Sequence, residues 1–224
     1  MLELRSISKR FGGVDALIDV SISINKDLVG IVGPNGSGKT TLFNIISGHV
    51  RQDRGEVFFM GREISRLSFG ERVRIGILRT FQMPKVFWSL SVWDNIAPLA
   101  RDRVYAVEAM KRLDLWSKRD LMPRRLALSD IRRLEIARCL VLSPRILLLD
   151  EPLAGLSHEE AEDLGSLISE IHRDLGIPVA VIEHKLGHLS RIARRVVAMN
   201  AGRIVIDAPT DEAMARVREM LLGL

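Results

Sequence analysis

The sequence predicts an α/β fold, on three observations. A short apolar run, Leu28 to Val32, stops at a glycine-rich turn and leads into a helical stretch. Two further uninterrupted apolar runs, Ile146 to Leu149 and Val179 to Ile182, flank a segment that Ser157 and Glu160 open as a helix, the pattern of buried parallel strands joined by a crossover. The first 27 residues instead alternate apolar and polar side chains, the period of half-buried strands, and predict an antiparallel β subdomain at the N-terminus.

Taken in order, Leu2 and Leu4 alternate with charges, and Ile18, Val20, Ile22 and Ile24 alternate with polar residues. Thr40 to Ser47 reads as a helix with Gly48 as its stop. Glu56 to Met60 and Ile75 to Phe81 are strand candidates. From Met83 to Ser143 the texture becomes helical, punctuated by Pro84, Pro98 and Pro123. Ser91 and Asp94 resemble a capping box; Val104, Val107, Met110 and Leu113 form one stripe; Ile131, Leu134 and Ala137 to Leu142 form another, ended by Pro144. Val196 to Ile206 reads as a hairpin around Asn200, Ala201 and Gly202, with a last helix after Thr210. The expected organisation is a single domain over 1–224, with 1–82 and 144–224 as core plus β subdomain and 83–143 as a small inserted helical subdomain.

Composition narrows the function. At 47% hydrophobic and 27% charged residues, the 224-residue chain has an ordinary globular balance, which excludes disorder and collagen-like repeats. Cys139 is the only cysteine, so disulfide frameworks and cysteine-cluster metal sites are excluded and a reducing compartment fits. No apolar run approaches the roughly eighteen residues a membrane helix needs, and the start, MLELRSISKR, carries charge where a signal peptide is apolar. A soluble, cytoplasmic protein is expected. The net charge of +5 and a pI near 9.8 permit nucleic acid, anionic lipid or a polyphosphate as ligand, but a solvated arginine-rich surface is the favoured account of them.

The segment Gly33, Pro34, Asn35, Gly36, Ser37, Gly38, Lys39, Thr40 fits G-x-x-x-x-G-K-[ST], and Thr41 continues it. Glycines let the backbone wrap closely enough for several N–H groups to face one phosphate. The helix that opens here adds its positive dipole end. Lys39 can neutralise β- and γ-phosphates, and the Thr40 hydroxyl can ligate Mg²⁺. With an apolar strand before it and a helix after it, the segment predicts a P-loop NTPase core. Arg145 to Pro152 supplies the second half: an apolar strand delivers Asp150 at its carboxyl end, where one carboxylate can hold Mg²⁺. Glu151 follows at once, placed to polarise an attacking water.

With these segments in hand, the sequence resembles the ATP-binding cassette (ABC) family. The ordered set is Phe11, the loop at 33–40, Gln82 in Arg79-Thr80-Phe81-Gln82, Arg132-Arg133-Leu134-Glu135-Ile136-Ala137-Arg138, Asp150-Glu151-Pro152, and Glu183-His184. It spans essentially the whole chain. Arg10-Phe11-Gly12-Gly13, the Arg-Thr-Phe-Gln string and Leu134 to Cys139 are most similar to ATP-binding subunits of branched-chain amino acid importers. The resemblance implies ATP and Mg²⁺ as ligands. Phe11 would stack on adenine, a contact worth about 1–3 kcal/mol. Gln82 would reach the metal or the attacking water and hinge the helical insertion. His184 would contact the γ-phosphate and hold Glu151 and the water.

The sequence departs from the family at the signature, Leu-Ser-Gly-Gly-Gln, where it has Leu126-Ala127-Leu128-Ser129-Asp130. Ala127 lacks the hydroxyl, Leu128 and Ser129 add side chains where glycine allows close approach, and Asp130 puts a negative charge toward phosphate. In a second register Leu128-Ser129 is the Leu-Ser pair, Ser129 caps the helix, and its hydroxyl still serves. Because the family joins one chain's phosphate loop to the other chain's signature, a heterodimeric second ATPase subunit is favoured, or slow turnover as a homodimer. Ser157 replaces the Asp or Asn common after Glu151. Met83, Val86, Phe87, Trp88, Val92 and Trp93 crowd the stretch where the family receives a helix of its membrane subunit; they form either that surface or the subdomain core.

The resemblance therefore implies the ATPase subunit of an importer for branched-chain amino acids or similar small polar solutes. It would act with integral-membrane permeases and a solute-binding protein, peripheral on the inner face of the cell membrane, with no nucleic acid partner. The alternatives are an exporter ATPase and a soluble ATP-driven clamp on nucleic acid.

Overall fold

The computed structural model describes residues 1–184 and 186–222. The chain opens with a hairpin, β1 (Leu2–Phe11) and β2 (Val14–Ile24), and continues through β3 (Leu28–Val32), α1 (Lys39–Ser47), β4 (Arg54–Phe59) and the short β5 (Arg62–Glu63). The first four-stranded sheet is antiparallel, in the order β2-β1-β4-β5. Its inward side chains, among them Leu2, Leu4, Ile7 and Val57, share one buried cluster with Leu42, Phe43, Ile45 and Ile46 of α1. Alternation predicted this sheet, with one slip of phase. In β2 the buried set is Leu17, Val20, Ile22 and Ile24, while Ile18 is only partly covered. Asp19 sits at φ 51° beside a register shift in the β1–β2 ladder. Such a bulge inserts a residue and moves the preceding side chains to the other face. Its freed amide is satisfied by the Ser8 hydroxyl, 3.1 Å away.

After α2 (Phe69–Arg74), which sequence periodicity did not reveal, β6 (Ile77–Arg79) enters the second sheet. The helical stretch follows as α3 (Val92–Ile96), α4 (Arg103–Arg112) and α5 (Leu128–Leu140). The Ser91 hydroxyl accepts from the Asp94 N–H at 3.0 Å, as a cap requires. In α4 the buried residues are Ala106, Ala109 and Met110, with Leu113 just beyond, and Val104 is exposed. The expected stripe is thus corrected: Ala106, Ala109, Met110 and Leu113 lie at the i, i+3, i+4, i+7 spacing of one helical face, and Val104 falls outside it. The buried residues of this region form one continuous cluster with Leu78, Leu147, Leu149 and Val181 of the sheet, so the helices pack directly on the core.

The chain returns with β7 (Ile146–Asp150), α6 (His158–Leu175), β8 (Val179–Ile182), α7 (Leu186–Ile192), the hairpin β9 (Arg195–Asn200) and β10 (Arg203–Pro209), and α8 (Thr210–Leu222). The second sheet runs β10-β9-β3-β8-β7-β6, parallel throughout except for the β9–β10 pair. β3, β7 and β8 are buried along their whole length, as their uninterrupted apolar runs require. The consequence for function is directional. The segments that leave the carboxyl ends of β3, β6, β7 and β8 all emerge on one edge, and these are the phosphate-loop candidate, Gln82, Asp150-Glu151 and His184.

Candidate active site

The loop after β3 is shaped by two glycines that nothing larger can replace. Gly33 has φ 150°, and a Cβ there would lie 2.2 Å from the Met199 carbonyl; Gly38 has φ 103°, and its Cβ would lie 2.5 Å from the Ala16 carbonyl. The loop is therefore clasped between β9 and β2. Gly38 also precedes α1, whose first turn holds no acidic residue, so its amides stay electropositive. Lys39 is buried and folds back over the loop. Its ammonium donates to the Gly33 and Pro34 carbonyls at 2.9 Å each. Burial pulls its pKa below the ordinary lysine value, opposed by the nearby Glu151 and Asp150 carboxylates.

A cleft of about 470 Å³ opens here, lined by Asn35, Lys39, Thr40, Gln82, Glu151 and His184 among others. The Glu151 carboxylate is spanned from two sides. Its Oε2 accepts from Gln82 Nε2 at 3.2 Å, and its Oε1 lies 2.8 Å from His184 Nε2. The phosphate loop, Gln82, Glu151 and His184, scattered over the sequence, thus meet around one space. Glu151 stands at φ 51°, with its N–H donating to the Ile182 carbonyl at 3.0 Å. Strained backbone at a non-glycine residue is the kind that clusters at functional sites. The neighbouring Glu183 is buried and anchors the loop after Glu151, accepting from the Leu153 N–H at 2.8 Å.

Asp150 is more deeply placed than Glu151. Its Oδ2 accepts from Arg79 Nη2 at 2.9 Å, with the two side chains 1% and 2% exposed, and its N–H donates to the Thr80 hydroxyl at 3.2 Å. Burial raises its pKa, while Arg79 works in the opposite direction. Its Oδ1 is buried and has no hydrogen-bond partner. A buried carboxylate oxygen without a donor is costly unless a cation completes it. With the Thr40 hydroxyl at the cleft wall, the donor set is all oxygen, as Mg²⁺ requires. The residues fit the metal.

Phe11 is 48% exposed and pairs with Val14 across the β1–β2 hairpin, and the cleft wall on that side is made by Val14 and Ala16. One expectation, Ser129 of the signature segment as a helix cap, meets a different geometry. Ala127 is the N-cap of α5, without a side-chain bond, and Ser129 lies inside the first turn, donating from its hydroxyl to Glu160 Oε1 at 2.9 Å. The reason is that Glu160 is already fixed at the start of α6 by a reciprocal capping box with Ser157, as the sequence predicted there, and offers its second oxygen to Ser129. Asp130 is buried and pairs with Lys118 at 2.5 Å, so its charge is neutralised within the chain. The crowded stretch after Gln82 splits in two: Val86 and Val92 are buried, Trp93 packs partly against the core, and Met83, Phe87 and Trp88 are exposed.

A model of the ABC transporter family matches residues 17–154, from within β2 to just past Glu151. The chain belongs to the ABC transporter family. It is the ATP-binding, ATP-hydrolysing component of that family. Over 95% of this chain and 92% of the other, it is 30% identical to the high-affinity branched-chain amino acid transport ATP-binding protein LivG of Salmonella typhimurium. It is 34% identical to the lipopolysaccharide export system ATP-binding protein LptB of Acidithiobacillus ferridurans, over 100% of this chain and 97% of that one. The crystal structure of the ADP conformation of an ATP-binding cassette of an ABC transporter superposes with a TM-score of 0.91 at 29% identity, covering 100% of this chain and 99% of that one. A solved ATP-binding cassette that is 26% identical, with a TM-score of 0.84 over 94% of this chain and 99% of that one, forms a dimer in a post-hydrolysis state bound to ADP and phosphate. Among the described residues, no helix is long and apolar enough to cross a membrane.

Sequence reasoning missed Arg79, which it quoted without a role, and the Val14–Ala16 wall. Neither had a local signal. Arg79 acquires its partner only when β6 pairs with β7, and Val14 remains an exposed strand valine whose place beside the phosphate loop is set by the fold alone.

Proposed function

We propose that ATP hydrolysis in this cleft powers import of branched-chain amino acids or similar small polar solutes through a separate membrane permease. The observation that carries the chemistry is the Glu151 carboxylate held between Gln82 and His184 at the mouth of the phosphate loop. Lys39 leaves the Gly33 and Pro34 carbonyls for the β- and γ-phosphates, and the amides of the loop and first turn of α1 bind the same charge. Glu151 accepts a proton from the attacking water. His184 and Gln82 fix its two oxygens, so the base does not rotate away. Thr40 and Asp150, with Gln82, would hold Mg²⁺, which supplies neutralisation of phosphate charge when bound. Phe11 or the adjacent Val14 wall receives the adenine.

The importer assignment is supported by the likeness to LivG. The likeness to LptB at 34% identity supports export as the second reading. The chain is one domain over 1–224, in which 83–143 moves as a helical subdomain against 1–82 and 144–224. The exposed Met83, Phe87 and Trp88 receive the permease on the cytoplasmic side of the membrane. Its dimer partner is a second ABC ATPase with an intact signature, because residues 126–130 of this chain present Ala127 and Leu128, and Ser129 is already engaged by Glu160.

The test is reconstitution in liposomes with the permeases and solute-binding protein of a branched-chain amino acid importer. Uptake of a branched-chain amino acid that depends on ATP and disappears with Glu151→Gln supports import. ATP-driven release of lipid-linked sugar from the membrane, with no solute uptake, overturns it in favour of export.

A further inference from the structure

Arg79 is a buried side chain behind the cleft that does not line it. It ends β6, next to β7 in the sheet; its Nε donates to the Thr80 carbonyl at 3.2 Å, and the rest of the guanidinium reaches three more places. Nη2 donates to Asp150 Oδ2 at 2.9 Å; Nη1 donates to Asn44 Oδ1 at 2.7 Å and Ser47 Oγ at 3.2 Å, both in α1; the plane lies over the Phe81 ring at 4.6 Å. Phe81 directly precedes Gln82, and α1 directly follows the phosphate loop. Such a fork is rigid, and both of its ends are anchored on elements that frame the cleft. The opposite oxygen of Asp150, Oδ1, is left buried with no protein partner.

We propose that Arg79 is a positioning residue that clamps one oxygen of Asp150 to α1 and so presents the other, Oδ1, to the metal of the nucleotide. This rests on the reading of Asp150 as a metal-holding carboxylate. A carboxylate free to turn about its χ2 would offer either oxygen, or neither, to a cation. With Oδ2 fixed by Arg79 and the Asp150 N–H fixed by Thr80, one oxygen remains, in one direction. Lysine at this position would keep the charge but lose the fork, since a single ammonium cannot hold Asp150, Asn44 and Ser47 in one plane. Partners that orient a metal ligand typically change metal affinity roughly 10- to 100-fold when removed.

The experiment measures Mn²⁺ affinity of the ATP-bound full-length protein by electron paramagnetic resonance, and separately ATP affinity in excess chelator, for the unaltered protein and for Arg79→Met, Arg79→Lys and Asp150→Asn. The expected result is a loss of Mn²⁺ affinity of roughly 10-fold or more for Arg79→Met, with metal-free ATP affinity within about twofold and a smaller Mn²⁺ loss for Arg79→Lys. Unchanged Mn²⁺ affinity in Arg79→Met while Asp150→Asn weakens it overturns the role of Arg79 alone. Unchanged affinity in Asp150→Asn overturns the metal reading of Asp150 and this proposal with it. If Arg79→Met does not fold, Arg79→Lys decides: full Mn²⁺ affinity there overturns the clamp.

Discussion

Glu151 combines a left-handed backbone, a mostly buried carboxylate and two side-chain partners. No single one of these makes a general base; together they fix its position at the phosphate loop. Replacing it with glutamine keeps shape and hydrogen bonding but removes the proton acceptor. Turnover is expected to fall by about 10²- to 10⁴-fold, with ATP affinity within a few fold, checked by phosphate release and by nucleotide titration. Lys39→Ala acts differently: it removes the buried ammonium that faces phosphate, and ATP binding itself is expected to be lost in the same titration. Cys139 gives a contrasting residue-scale prediction. Burial pushes its thiol up to about 12, so it stays protonated at pH 8, and its Sγ already donates to the Arg79 carbonyl. Alkylation with iodoacetamide at pH 8 is expected only after denaturation, read by mass spectrometry; rapid labelling of native protein would contradict the burial.

At the scale of elements, the starts of α5 and α6 are tied together by one carboxylate. Glu160 closes the capping box with Ser157 and accepts from Ser129, so a change in one helix start reaches the other. Ser157→Ala is expected to cost about 1 kcal/mol, the usual worth of an N-cap, seen as a lowered midpoint of urea unfolding. Glu160→Ala removes the acceptor and frees Ser129, and a rise in turnover of the homodimer would show that the serine hydroxyl had been withheld from the opposite nucleotide. Helix and strand identities were legible from sequence where pattern is local. β3, β7 and β8 read as apolar runs, α1 as a helix stopped by Gly48, α6 as a capped helix. The phase of β2 was not, because a bulge at Asp19 is set by pairing with β1. Nor was the cap of α5, because the competing bond from Glu160 comes from 31 residues away.

For the whole molecule, the parallel sheet gathers the ends of four strands on one edge, and the helical stretch carries Met83, Phe87 and Trp88 outward from Gln82. A double change, Phe87→Ser with Trp88→Ala, is expected to leave basal ATPase within about twofold, because these side chains are exposed, as surface changes usually do. Stimulation by the permease in liposomes is expected to be lost. The α/β class, the phosphate loop, the carboxylate pair and the histidine after β8 can all be read from contiguous residues, because their backbone needs are local. It takes the folded chain to bring Arg79 to Asp150 across 71 residues, to set Gln82 and His184 on the same carboxylate, and to turn the signature serine toward Glu160. Those contacts depend on strand order and on which polar groups compete for the same partner once the core has closed, and neither is carried by any single stretch of chain.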